Sequence, residues 1–197
     1  LATQFGTVAV ASFGIVFRLM TFTFIPAVAM GMAASILLGR SLGGGAVDKA
    51  DRIAIDSSLI NFLMMAIMGG CLFVAAAPIA AIFAPGDQQL QEYGATVLRI
   101  FALSYPFSGI QAAMNGVFRG AGDTLNSMLL SLLGTWVLQI PLCIVLSRFT
   151  ALSDMGLWWS MLIAAIINTA IALVYFKSER WKRKAVRSAR TARENED

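Results

Sequence analysis

The sequence predicts an all-α protein, a polytopic bundle of transmembrane helices with about five spans plus the end of a sixth at the start. Apart from Arg18 and Arg99, uncharged apolar runs cover roughly residues 5 to 39, 57 to 86, 93 to 118, 125 to 147 and 155 to 176. About 20 such residues suffice to cross a bilayer as a helix. Composition agrees: 58% hydrophobic against 13% charged residues in a chain of 197 leaves too little polar surface for a soluble domain. In lipid, backbone groups are satisfied only by helices or closed barrels, and these runs lack the period-two alternation of barrel strands.

In the first run, Ala27, Gly31, Ser35 and Gly39 recur every four residues, a small-residue face that lets a neighbouring backbone approach. It ends in Gly39-Arg40-Ser41-Leu42-Gly43-Gly44-Gly45. That loop lacks the lysine and following Ser or Thr of a phosphate-binding loop and follows a membrane helix instead of a strand, so it reads as a helix terminator. The second run carries Asn61 with Met64 and Met68. The third places Ser104, Ser108, Gln111 and Asn115 at i, i+4, i+7 and i+11, one narrow helical face that Arg119 continues. Lipid does not tolerate such a face, which leaves two readings of equal weight: hydrogen bonding between helices, or the lining of a substrate cleft. In Gly116-Val117-Phe118-Arg119-Gly120-Ala121-Gly122-Asp123-Thr124 the glycines break the third helix. Asp123 or Thr124 can cap the next one, and the Arg119–Asp123 spacing suits a local ion pair.

The fourth run adds Thr135 and Gln139, and the fifth a looser small-residue stripe of Ala164, Ala165, Asn168 and Ala172. Pro26, Pro106 and Pro141 lie inside spans, where each removes a hydrogen bond and can bend its helix. Arg18 precedes Arg40 by 22 positions, about 33 Å of helix, or one hydrocarbon thickness. Arg18 and Arg99 therefore sit towards the outer ends of their spans. Snorkelling to the headgroups accounts for both, with an internal aqueous cleft as the sharper alternative.

Orientation follows from the connectors. Arg40, Lys49 and Arg52 follow the first run, Arg119 the third, and Lys177, Arg180, Lys182, Arg183, Lys184, Arg187, Arg190 and Arg193 the last. The two opposite connectors hold Arg148 as their single base. Basic residues are retained on the cytoplasmic side, so residues 1–176 form a partial helical lobe and 177–197 a basic cytoplasmic tail. Trp158 and Trp159 are expected at the outer interface and Trp181 at the inner one. The net charge of +4 then reads as topology, and no nucleic-acid partner is expected.

Histidine is absent, which removes most metal sites and the common catalytic triads. No catalytic, cofactor-binding or metal residue is expected, and the sequence does not read as an enzyme. Cys71 and Cys143 both lie within apolar runs and are read as packing residues. Ten methionines and thirteen phenylalanines could form an adaptable apolar cavity wall. No signal peptide is read at the start, and an opening Leu1 suggests a piece of a longer protein.

Several of these stretches carry a family likeness. Ile25-Pro26-Ala27, Leu38-Gly39-Arg40-Ser41-Leu42-Gly43 with Ala50, and above all the 116–124 run with Gln139-Ile140-Pro141-Leu142 resemble the C-terminal lobe of the multidrug and toxic compound extrusion (MATE) transporters. The resemblance covers about residues 5 to 180. It implies the second lobe of a twelve-helix membrane transporter, with Gly39, Arg40, Gly43, Arg119, Gly120, Gly122, Asp123 and Thr124 as structural motif residues. It further implies ion-gradient-driven antiport of cationic amphipathic compounds, membrane lipids as surroundings, and a missing N-terminal lobe as partner. The location implied is the plasma (inner) membrane.

Within that frame Ser104, Ser108, Gln111, Asn115, Asn61 and Gln139 are the substrate-cleft candidates. Family members couple to ions through acids, and the corresponding position on the third helix falls near Ser108. No carboxylate occurs between Glu92 and Asp123, so Na+ or H+ is expected to bind mainly outside this fragment. A lipid-linked oligosaccharide flippase of the related superfamily and a non-transporting structural membrane protein are the alternatives.

Overall fold

The computed structural model describes residues 7–83, 88–149, 155–178 and 181, with backbone alone for 7–20, 47–48, 83 and 148–149. The connectors at 84–87 and 150–154, a helix end before Thr7, most of the basic tail and the side chains of Arg18 and Arg148 lie outside that description.

Every regular element described is helical: α1 (Thr7–Gly43), α2 (Val47–Phe83), α3 (Gln88–Gly120), α4 (Thr124–Leu132), a π-helical segment (Leu133–Gln139), α5 (Ile140–Phe149) and α6 (Met155–Lys177). The last turns of α1 and the first turns of α2 and α3 overrun the apolar runs. Lys49, Asp51, Arg52 and Asp56 all lie on α2, because helical hydrogen bonding continues into water where hydropathy already ends. Between α1 and α2 the chain turns through Gly45 at φ +77°, with the Ser41 hydroxyl donating to the Ala46 carbonyl at 3.0 Å. This confirms the glycine-rich loop as a helix terminator.

Four segments, Thr21–Gly43, Lys49–Ile82, Thr124–Ser147 and Met155–Lys177, are long and apolar enough to cross a membrane. The third span expected from sequence, α3, is long enough but less apolar. Its position explains the exception: α3 packs against α1, α2 and α6 at once, so much of its surface meets protein instead of lipid. Exposed Phe22, Ile25, Val74, Ile82 and Val174 sit instead on its neighbours, as a lipid solvent requires.

Backbone contact holds α3 in that central place. A Cβ built on Gly116 would lie 2.0 Å from the Gly31 carbonyl oxygen, and one on Gly120 would lie 2.4 Å from that of Ser35. On the other flank, a Cβ on Gly109 would meet the Asn61 carbonyl at 2.7 Å, and one on Gly69 the Ala102 carbonyl at 2.6 Å. The small-residue face of α1 is therefore a packing face against α3. Pro106 lies inside α3 and has no N–H for the Ala102 carbonyl four residues earlier, the same carbonyl that Gly69 of α2 approaches.

The α6 stripe packs as well. Ala164 and Ala172 are buried, and the Asn168 side chain covers Gly134, where a Cβ would come within 2.2 Å of its Oδ1. Gly134 belongs to the π-helical segment, which ends two residues before Pro141. A proline ring displaces the carbonyl four residues back, here that of Val137, and a widened turn absorbs the displacement.

The core has two layers. One gathers Met65, Val97, Leu98, Phe101, Tyr105 and Trp158, the other Leu38, Val117, Phe118, Ala172 and Trp181. Two of the expected interfacial tryptophans are thus core residues. Trp158 is 2% exposed, meets Phe101 edge-on and donates from Nε1 to the Tyr93 hydroxyl at 3.1 Å. Trp181 is fully buried, stacks on Phe176 and donates to the Phe176 carbonyl at 3.1 Å. Each ring is taken into the bundle because a nearby acceptor satisfies its single polar atom. Trp159 alone of the three is exposed. Cys71 and Cys143 are free thiols; Cys143 packs half-buried against the core, whereas Cys71, expected to pack, is exposed.

Gly116→Val should cost about 3 kcal/mol or more through forced separation of α1 and α3, read as loss of monodisperse protein after detergent extraction. Gly43→Ala, where a Cβ meets nothing within 4 Å, should extract like the parent. Equal yields would show that the Gly31–Gly116 contact does not hold the lobe together.

Candidate functional site

The polar stripe of α3 is graded along its length. Ser104 is buried and its hydroxyl donates to the Phe101 carbonyl at 2.7 Å, while the half-buried Ser108 donates to the Ser104 carbonyl at 3.1 Å. Both hydroxyls are satisfied by their own helix. Gln111 and Asn115 are half-buried. Gln111 makes no side-chain hydrogen bond among the described residues. Asn115 accepts a long bond from the Ser127 hydroxyl of α4 at 3.4 Å.

At this end of α3 a cleft of about 270 Å³ opens between α3 and α4, lined by Asn115, Arg119, Thr124, Ser127, Met128 and Ser131. The structure thus brings Asn115, Arg119 and Thr124 to one place. Ser104, Ser108 and Gln111 are not among its lining residues, Gln111 standing one turn before Asn115 on the same face.

The other two cleft candidates lie elsewhere. Asn61 is fully buried, and its Nδ2 donates to the Gly109 carbonyl at 2.8 Å and to the Ala27 carbonyl at 3.3 Å. One side chain of α2 thereby ties α1 and α3 together. Its Oδ1 has no hydrogen-bond partner among the described residues. Gln139 closes the π-helical segment and is half-buried.

The glycine-rich turn between α3 and α4 is built differently from its sequence expectation. Gly122 takes φ +78°, a left-handed conformation that favours glycine. Asp123 occupies the N-cap position of α4 but makes no side-chain cap bond. Arg119 does not pair with it; its Nε donates to the Asn115 carbonyl at 3.2 Å.

Asp123 is 1% exposed, and its Oδ2 accepts from the Tyr175 hydroxyl of α6 and from Asn126 Nδ2 at 3.0 Å. Asn126 Nδ2 also reaches the Tyr175 oxygen at 2.6 Å, and Phe118 packs edge-on to the Tyr175 ring. A buried carboxylate needs strong donors, and a phenol from across the bundle supplies one that a local cap would not. Tyr175 and Asn126 were not marked by spacing. The available signal was an aromatic hydroxyl at the end of a span opposite a charged turn.

Comparison with known proteins places this architecture. The sequence model of the MatE family matches residues 1–145, and the chain belongs to that family. A probable multidrug resistance protein, NorM of Thermotoga maritima, is 27% identical over 92% of this chain and 39% of its own length. The chain therefore spans about two-fifths of that relative.

Two solved structures of a multidrug resistance MATE family transporter share the fold at 18% identity. The inward-facing conformation gives a TM-score of 0.79 over 93% of this chain and 41% of the transporter, and the outward-facing one 0.80 over 94% and 40%. The identification as part of a MATE family transporter, made from the glycine-rich turns, thus holds.

Tyr175→Phe should lower stability by about 1–3 kcal/mol, because it strips a donor from a buried carboxylate. Combined with Asp123→Asn in a double-mutant cycle, the two should couple by about 1 kcal/mol or more. Chemical unfolding in detergent measures this, and additive effects would mean that the two groups do not act as a pair.

Proposed function

We propose that this chain forms one lobe of a secondary transporter that exports cationic amphipathic compounds in exchange for Na+ or H+. The other lobe of the same protein would close the cleft. Membership of the MatE family is the observation that carries the reading. The near-equal match to inward- and outward-facing transporter structures supports a lobe that moves as a rigid body while a cleft beside it alternates between sides. The backbone contacts of α3 with α1 and α2 give the physical basis for that rigidity.

Gln111 and Asn115 are the best-supported cleft residues. Both are half-buried, and the Gln111 amide awaits a partner from cargo or the facing lobe. Ser104, Ser108 and Asn61 serve packing within the lobe in this reading. Coupling falls mainly to acids outside this chain, since no carboxylate stands on α3 between Glu92 and its end. The cargo is carried unchanged, without covalent chemistry. The plasma (inner) membrane is the proposed location, with the loops at Lys49 and Arg119 and the tail after Lys177 in the cytoplasm.

Cysteines at Gln111 and Asn115, in a parent without Cys71 and Cys143, should react with water-soluble thiol reagents and be protected by transported drug. Leu103 and Ser104 should stay inert. Gln111→Leu should shift substrate preference at near-normal expression; loss of folded protein with no selective change would return Gln111 to a packing role.

For topology, single cysteines at Ser41, Gln89 and Ser178 test the orientation with an impermeant thiol reagent on intact cells. Labelling of Gln89 alone is expected, and labelling of Ser41 or Ser178 would invert the orientation.

A further inference from the structure

The opposite end of α3 carries a feature that packing does not use. Arg99 lies within the apolar run of residues 93–118 yet is exposed, and it forms no ion pair or hydrogen bond among the described residues. Its only described partner is the Phe73 ring of α2, 5.7 Å from the guanidinium carbon to the ring centroid. A guanidinium at this depth is costly without an anion or water. It borders a cleft of about 480 Å³ between α2 and α3, shared with Gln88, Gln91, Glu92 and Thr96.

Glu92 is exposed there as well and does not pair with Arg99. Seven residues separate the two, so they share one face of α3 about 10 Å apart along the axis. Thr96 lies between them, its hydroxyl donating to the Glu92 carbonyl at 2.9 Å. Beyond the cleft, on the far side of Arg99, the surface turns apolar with Leu103, one turn on, and Phe73, both exposed.

The geometry points to a binding cleft for the headgroup of an aminophospholipid such as phosphatidylethanolamine, with its phosphate on Arg99 and its ammonium on Glu92. The order of the charges suits this ligand. The cation sits deeper in the apolar run and the anion nearer the end of the helix, matching a lipid whose phosphate lies below its amine and whose acyl chains continue along Phe73 and Leu103. Arginine suits a phosphate through its forked donors, and a carboxylate prefers a primary ammonium, which can donate, to a quaternary one, which cannot. The cleft volume lies within the range of small-molecule sites. This inference rests on the membrane reading and not on the export reading, so its failure leaves the latter standing.

The test is native mass spectrometry of the purified protein after exchange into equal amounts of phosphatidylethanolamine, phosphatidylcholine and phosphatidylglycerol. The unaltered protein should retain phosphatidylethanolamine preferentially. Arg99→Gln should lower retention of all three by about fivefold, the upper end for a pair in contact with solvent. Glu92→Gln should leave phosphatidylglycerol bound and erase the preference for the amine. Both positions are exposed, and a thermal melt checks that each variant is folded.

Soluble phosphoethanolamine added in excess should not displace the lipid, since it lacks the chains. No headgroup preference in the unaltered protein, unchanged retention in folded Arg99→Gln, or full displacement by the soluble headgroup would each overturn the proposal.

Discussion

The contact between the backbones of α1 and α3 sets the terms for the rest of this lobe. In a bilayer the apolar solvent gives helices no hydrophobic reason to associate, so the remaining forces are close packing and hydrogen bonds. Gly31, Gly116 and Gly120 let the two backbones meet, and Gly69 and Gly109 do the same between α2 and α3. Once α3 lies in contact on both sides, its surface need not be uniformly apolar. A span carrying serines, Gln111 and Asn115 becomes possible because its neighbours shield part of it from lipid.

Polar groups then act as ties between helices. The Asn61 amide bridges α1, α2 and α3, and the Thr169 hydroxyl of α6 reaches the Phe107 carbonyl of α3 at 2.9 Å. Asp123, Tyr175 and Asn126 bind the α3–α4 turn to the end of α6. These links draw on few polar groups: Asn61, Thr169 and Asp123 are nearly or fully buried and Asn126 and Tyr175 half-buried, and losing a partner there is expensive. They distribute along the bundle: the Tyr93–Trp158 bond near one end, Asn61 and Thr169 in the middle, Asp123 at the other end. A bundle tied at three levels is suited to moving as a unit.

Against that rigid background, Arg99 and Gln111 are polar side chains on α3 that make no side-chain hydrogen bond among the described residues. They face different surroundings. Gln111 stands on the polar face near the α3–α4 cleft, where the proposed cargo path runs, whereas Arg99 stands beside exposed apolar residues at the lipid boundary. The same helix thus serves packing on most of its circumference and leaves two separate places for partners from outside.

Much of the fold was legible from residue type alone. The apolar runs located the helices, since lipid permits no other open-ended solution for the backbone, and the glycine clusters marked the α1–α2 and α3–α4 turns. The four-residue repeat of Ala27, Gly31, Ser35 and Gly39 announced a packing face. What spacing could not supply was the partner of each polar atom. Arg119 and Asp123 are close in sequence and looked like an ion pair, yet the buried carboxylate bonds to Tyr175, 52 positions away. Trp158 and Trp181 had the positions of interfacial anchors, and only the presence of Tyr93 and the Phe176 carbonyl drew them into the core. The stripe on α3 was visible as a periodicity, while its division into self-satisfied serines and a Gln111 without a hydrogen-bond partner among the described residues depended on which neighbours came near. Local chemistry determines where a helix can exist and which face is polar; the pairing of buried donors and acceptors is decided by long-range packing, because that alone brings distant residues within bonding distance.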